Sequence, residues 1–218
     1  MLKPAKFTLP KKLEKPKEIH PSRLEFMNIG QKYWQASFDS LNEAQREAVG
    51  SYLDNMFVAI QKGMGLFLWG PNSTGKSYIS AVLCKRAYAL YDVPSYCVTS
   101  AELRDAWIHP EEARAQDDTE ELLLNRAMGI RFLVIDDLGK EHRTASGYVS
   151  TQLGVLLRHR VRQGFTTVIT ANAHPSNMVS EYGQSTIELM KESMVPVPLE
   201  GPDMRAEAAS AMASLLGY

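Results

Sequence analysis

Two cysteines in 218 residues cannot build a disulfide framework. Cys84 lies in an apolar helical pattern and Cys97 in an apolar strand pattern, so both read as reduced structural thiols. No cysteine–histidine spacing matches a zinc site. No apolar run is long enough to span a bilayer, and no signal-like apolar core stands near the N-terminus. The expectation is a soluble cytoplasmic protein without a membrane partner. Net charge is nearly absent too: 24 basic against 25 acidic side chains leave −1. General attraction to polyanions is thereby excluded, and any nucleic-acid contact must come from a local patch. There is no internal repeat, which excludes solenoids and propellers.

The charge that is present is unevenly placed. Lys3, Lys6, Lys11, Lys12, Lys15, Lys17 and Arg23 are interleaved with Pro4, Pro10, Pro16 and Pro21, opposed up to Arg23 only by Glu14 and Glu18. Such proline density blocks a helix, and the lysines repel one another. The reading is a flexible basic arm over residues 1–35, followed by one domain over residues 36–218. The arm is either a solvated tail or a short docking peptide that contacts a partner or phosphates.

Order is expected from Phe38. Ser40 and Glu43 form a capping-box pattern ahead of Leu41, Ala44, Ala48, Tyr52, Met56 and Ile60 at helical spacing. Short apolar strands follow at residues 66–69, 95–99, 132–135 and 166–170, with helical patterns between them. An acidic stretch over residues 109–121 reads as a solvated loop. Val195-Pro196-Val197-Pro198-Leu199 is a fifth strand whose prolines confine it to a sheet edge. A last helix is expected from Asp203 to about Leu216. Continuously apolar strands alternating with helices predict a parallel, three-layer α/β domain.

Residues Gly70-Pro71-Asn72-Ser73-Thr74-Gly75-Lys76-Ser77 match G-x-x-x-x-G-K-[ST], between an apolar strand and an amphipathic helix. Glycines let the backbone curl so that its N–H groups face phosphate oxygens, and the helix adds its positive dipole end. Lys76 reaches the β- and γ-phosphates, and the Ser77 hydroxyl ligates Mg²⁺. ATP with Mg²⁺ is the expected ligand. Asp136 and Asp137 end the third strand, where ligands gather in parallel sheets. The first suits Mg²⁺ and the second suits the attacking water. Asn172, after the fourth strand, is placed to bond the γ-phosphate or that water.

Together these residues make the sequence similar to AAA+ ATPases. More narrowly, over roughly residues 33–205 it resembles the DnaC-type helicase loaders and the IstB-type transposition helpers. The resemblance rests on Tyr33-Trp34-Gln35-Ala36-Ser37-Phe38, on Gly65 through Ser77, on Leu133-Val134-Ile135-Asp136-Asp137-Leu138-Gly139 and on the strand ending at Asn172. It implies a five-stranded parallel sheet of order 5-1-4-3-2 and ATP-dependent assembly on single-stranded DNA or a partner protein. Homo-oligomerisation is among its expectations. Lys76 and Ser77 match Walker A, Asp136 and Asp137 match Walker B, and Asn172 matches sensor 1. Glu200 to Arg205 resembles the segment carrying the sensor 2 arginine, which gives Arg205 a γ-phosphate contact. Ser146-Gly147-Tyr148 resembles a Ser-x-Tyr element presented to single-stranded DNA, with the aromatic ring stacking on a base.

Two departures stand out. Ser73 takes a position usually held by glycine, which strains the loop if φ there is positive. Gly183 to Lys191 occupies the place of the family's arginine finger and contains no arginine; its cation, Lys191, lacks the guanidinium fork. The expectation is an ATPase that is weak without a partner. Three functions fit: loading a replicative helicase onto single-stranded DNA, presenting target DNA to a transposase, or acting as an ATP-binding switch with little hydrolysis.

Overall fold

The computed structural model describes residues 11–108, 119–139, 147–201, 203–204 and 213–214. Five strands form one sheet: β1 (Gly65–Trp69), β2 (Ser95–Thr99), β3 (Phe132–Leu138), β4 (Thr166–Ala171) and β5 (Met194–Pro198). Their order is β2-β3-β4-β1-β5, with every pair parallel. This is the expected 5-1-4-3-2 order read from the other side. β4 is buried along its whole length and β1 along all but Trp69, which accounts for their unbroken apolar sequences.

The period of two along each strand divides the core between the faces. Leu66 and Leu68 pack on one side with Val49, Leu53, Ile60, Ile79 and Leu83. These come from α2 (Glu43–Asp54), α3 (Met56–Gln61) and α4 (Lys76–Tyr91). Phe67 points to the other side, with Leu103, Leu133, Ile135, Leu153, Ile169 and Ile187. The helices there are α5 (Ser100–Ile108), α6 (Thr119–Gly129), α7 (Tyr148–Arg162) and, after the short α8 (Val179–Tyr182), α9 (Gln184–Ser193).

β5 lies at the edge, as its prolines require. Leu199 N–H donates to the Trp69 carbonyl at 2.7 Å. N–H groups of alternate residues face the same side, so Val195 and Val197 share that side with Leu199. The missing donors of Pro196 and Pro198 therefore fall on the free side.

The expectation of a free arm to residue 35 is corrected in its described part. Leu13 and Lys17 N–H donate to the carbonyls of Leu90 and Ala89 at the end of α4. Helix α1 (Pro21–Phe26) follows, and Leu24, Met27 and Ile29 are buried in the core. The Met27 carbonyl accepts from Cys97 N–H, and Asn28 Nδ2 donates to the Cys97 carbonyl. This segment thus satisfies the outward N–H and carbonyl of Cys97 in the other edge strand, β2. Lys85 donates to the carbonyls of Trp34 and Ala36, tying down the end of the segment. A few large apolar side chains outweigh the local lysine and proline content.

Two smaller corrections concern α2. Its capping box is Asn42 with Gln45, not Ser40 with Glu43. Ser40 Oγ is instead engaged with the Ser37 carbonyl and Tyr78 Oη. The expected single helix is also broken at Asn55, which separates α2 from α3. Most of the expected C-terminal helix, and residues 109–118 of the acidic stretch, lie outside the described residues. No helix among the described residues is long and apolar enough to cross a membrane.

Candidate nucleotide site

β1 runs directly into the 70–77 loop, and α4 begins at Lys76 with Gly75 as its N-cap at φ +93°. The loop's carbonyls are almost all occupied. Lys76 Nζ donates to Gly70 O at 2.9 Å and Pro71 O at 2.6 Å, and Thr74 Oγ1 also donates to Pro71 O. Ser73 O accepts from Met204 N–H at 3.0 Å. Gly70 is fixed by contact as well as by conformation: a Cβ there would lie 2.2 Å from the Leu199 carbonyl. Ser73 adopts φ +66°, so the serine sits where glycine would be unstrained.

Asp136 and Asp137 close one end of the site through a β-bulge. Ile135 pairs with Ile169 and Leu138 with Ala171, leaving two aspartates opposite Thr170 alone. Asp137 takes a left-handed φ of +61°. Its N–H donates to Thr170 Oγ1 and its carbonyl accepts from Ser100 Oγ, both at 2.8 Å. The same threonine hydroxyl donates to Asp136 Oδ1 at 2.5 Å. Asp136 is buried behind the bulge, while Asp137 lines a cavity of about 290 Å³ shared with Lys76 and Ser77. One threonine therefore separates the two carboxylates into an inner and an outer one.

Lys32, Tyr33, Tyr78 and Met204 also line this cavity. The Tyr33 and Tyr78 rings meet edge to face at 6.3 Å, and Lys32 Nζ stands 4.6 Å above the Tyr33 ring. These wall residues, like Thr170 and Gln45, carry no local signal of a site. Tyr33 belongs to the motif quoted for the resemblance, which was the available pointer to it.

The remaining sequence candidates are placed apart. Asn172 is exposed after β4 and is not among the described residues lining the cavity. Tyr148 is 45% exposed at the start of α7, in a groove with Trp107, Met128 and Val155. Ser146 and Arg205 lie outside the described residues. Segment 183–191 forms most of α9, and Lys191 is exposed in its last turn. Arg158 of α7 reaches this segment, donating to Ser185 Oγ at 2.6 Å. Burial pushes the Cys84 thiol up to about 12 and the Cys97 thiol well above its ordinary value.

The donor set fits a nucleotide with magnesium. A hydroxyl, a carboxylate and phosphate oxygens are hard ligands suited to Mg²⁺, which keeps waters and needs no all-protein cage. Among the described residues there is no cluster of three or more His, Cys, Asp or Glu that could hold a metal ion.

No protein-family model matches the sequence, and no curated protein matches it. Solved structures match in fold. The DnaC helicase loader is 20% identical with a TM-score of 0.65, covering 78% of this chain and 100% of its own. DnaI is 22% identical with a TM-score of 0.62, covering 80% of this chain and 96% of its own. The replication initiator DnaA bound to AMPPCP and single-stranded DNA is 16% identical with a TM-score of 0.52. That match covers 90% of this chain and 56% of the initiator. The likeness establishes the fold alone, an α/β domain on a five-stranded parallel sheet of this order.

Proposed function

We propose that this protein is an ATP-dependent replication factor that loads a replicative helicase onto single-stranded DNA. The observation that carries the ATPase part is the shared cavity, with Lys76 and Ser77 on one wall and Asp137 on another. The helicase part is supported by fold likeness to a helicase loader and to an initiator bound to single-stranded DNA. Loop N–H groups and Lys76 hold the phosphates, while Ser77 and Asp136 are the groups to hold Mg²⁺. The metal, when bound, neutralises phosphate charge. Asp137 orients the attacking water as its general base, and its doubly bonded backbone fixes the carboxylate's position. Tyr33 and Tyr78 offer aromatic surface to a base.

The absence of arginine from segment 183–191 favours a second reading, an ATP switch that hydrolyses slowly on its own. One experiment addresses both. Purified protein is mixed with Mg-ATP, single-stranded DNA and a hexameric replicative helicase, and complex formation and phosphate release are measured. A stable complex requiring ATP, lost in Lys76→Ala, supports the loader. Asp137→Asn should bind ATP with slowed turnover. Association with a transposase and not with the helicase would overturn the loader in favour of the transposition helper. Turnover near 10 per second without any partner would overturn the weak-ATPase reading.

A further inference from the structure

Gln45 is 1% exposed, polar, and lies behind the phosphate loop on an otherwise apolar helix face. Its Oε1 accepts from Asn42 N–H, completing the cap of α2. Its Nε2 donates to the Thr74 carbonyl at 3.1 Å and lies 2.9 Å from Met204 Sδ. It also crowds the loop: a Cβ on residue 75 would stand 2.2 Å from that nitrogen. Across a trans peptide the carbonyl of one residue and the N–H of the next point in opposite directions. A Thr74 carbonyl held back towards Gln45 therefore turns the Gly75 N–H the other way. Gly75 lines the cavity and Gln45 is not among its described lining residues, an arrangement that suits an N–H turned from Gln45 towards the cavity.

We infer that Gln45 is a positioning residue for nucleotide binding, aiming the Gly75 N–H at a phosphate oxygen. This rests on the ATP reading above. Met204 acts alike on the preceding peptide, because its N–H holds the Ser73 carbonyl. Gln45 thus joins α2, the phosphate loop and the segment at residue 204 through one side-chain amide. With the donor removed, the Thr74–Gly75 peptide is free to rotate, and a bound phosphate must order it first.

Gln45→Met keeps the side-chain volume and loses the donor; Gln45→Glu keeps the acceptor for Asn42 N–H and loses the donor. Asn42→Ala damages the same cap without touching the loop. Each full-length variant is titrated calorimetrically with Mg-AMPPCP, at a temperature where thermal unfolding shows it folded. Both Gln45 variants should raise Kd about tenfold, the worth of one hydrogen bond to a charged group. Asn42→Ala should stay within twofold while unfolding at lower temperature. In ATP turnover KM should rise with kcat unchanged, because the phosphate contact is made in ground and transition states alike. Either Gln45 variant binding within twofold of the wild type overturns the inference and leaves the ATP reading intact. A wild-type protein that does not bind the analogue overturns both.

Discussion

Replacing Ser73 with glycine should stabilise this protein. At φ +66° a side chain meets its own backbone. The left-handed conformation costs an L-residue about 1–2 kcal/mol. Glycine escapes that penalty but adds freedom to the unfolded chain, worth about 0.5–1 kcal/mol in the opposite sense. The difference is a net gain of about 0.5–1 kcal/mol. The Ser73 contact that matters, its carbonyl to Met204 N–H, is retained by any residue. Chemical denaturation with and without Mg-ATP measures the gain, and in a chain of this size Tm should rise by about 2 °C. Ser73→Ala is the control, since it removes the hydroxyl and keeps the strained Cβ. Ala should give no gain. Equal gains for Ala and Gly would locate the effect in the hydroxyl and refute the backbone account, as would destabilisation by Gly.

Arg160→Met should lower unfolding stability by about 3 kcal/mol, because it leaves buried acceptors without a donor. This guanidinium is fully buried and donates to Thr167 Oγ1 and to the carbonyls of Ala127, Ile130 and Thr166. Burial, with Arg131 nearby, lowers it to about 9, which leaves it cationic at neutral pH. Arg160→Lys, with one ammonium for four acceptors, should recover only part of the loss in denaturant titrations. Thr170→Val should slow ATP turnover more than it weakens ATP binding, because it releases both aspartates of the bulge. Thr170→Ser should restore turnover, and a Val variant with unchanged kcat would remove Thr170 from the site. Removing residues 1–29 should cost about 5 kcal/mol through loss of Leu24, Met27 and Ile29 from the core, visible as a lower Tm.

What was legible in the sequence was short-range and periodic. The phosphate loop is eight consecutive residues, the paired aspartates end an apolar run, and the β5 prolines announce an edge. Sheet order came from the family resemblance and agrees with the structure. What was not legible depends on contacts between distant residues. Leu24, Met27 and Ile29 sit among lysines and prolines at no regular period, so their burial could not be read locally. Thr170 looks like any β-branched strand residue until β3 bulges against it. Arg160 did carry a signal: Leu153, Leu156, Leu157 and Arg160 follow one helical stripe, and all four are buried. Its place among the basic residues of the last turn of α7, beside His159 and Arg162, masks that signal. Asn42 displaced Ser40 as the cap because Ser40 Oγ is engaged by Ser37 and Tyr78.

The docked N-terminal segment has a practical consequence for anyone cutting this protein down. Residues 27–28 cover the backbone of Cys97 at one edge of the sheet, and Lys32 and Tyr33 line the cavity that holds Lys76 and Ser77. A fragment trimmed to begin at Phe38 would bare the outward backbone of Cys97 in β2, an invitation to self-association, and would lack one side of the cavity at Lys76. Such a fragment would precipitate or bind ATP poorly for reasons unrelated to any partner. Pull-down comparisons are sound only with pieces that begin ahead of Leu13, which among the described residues is the first to bond to α4.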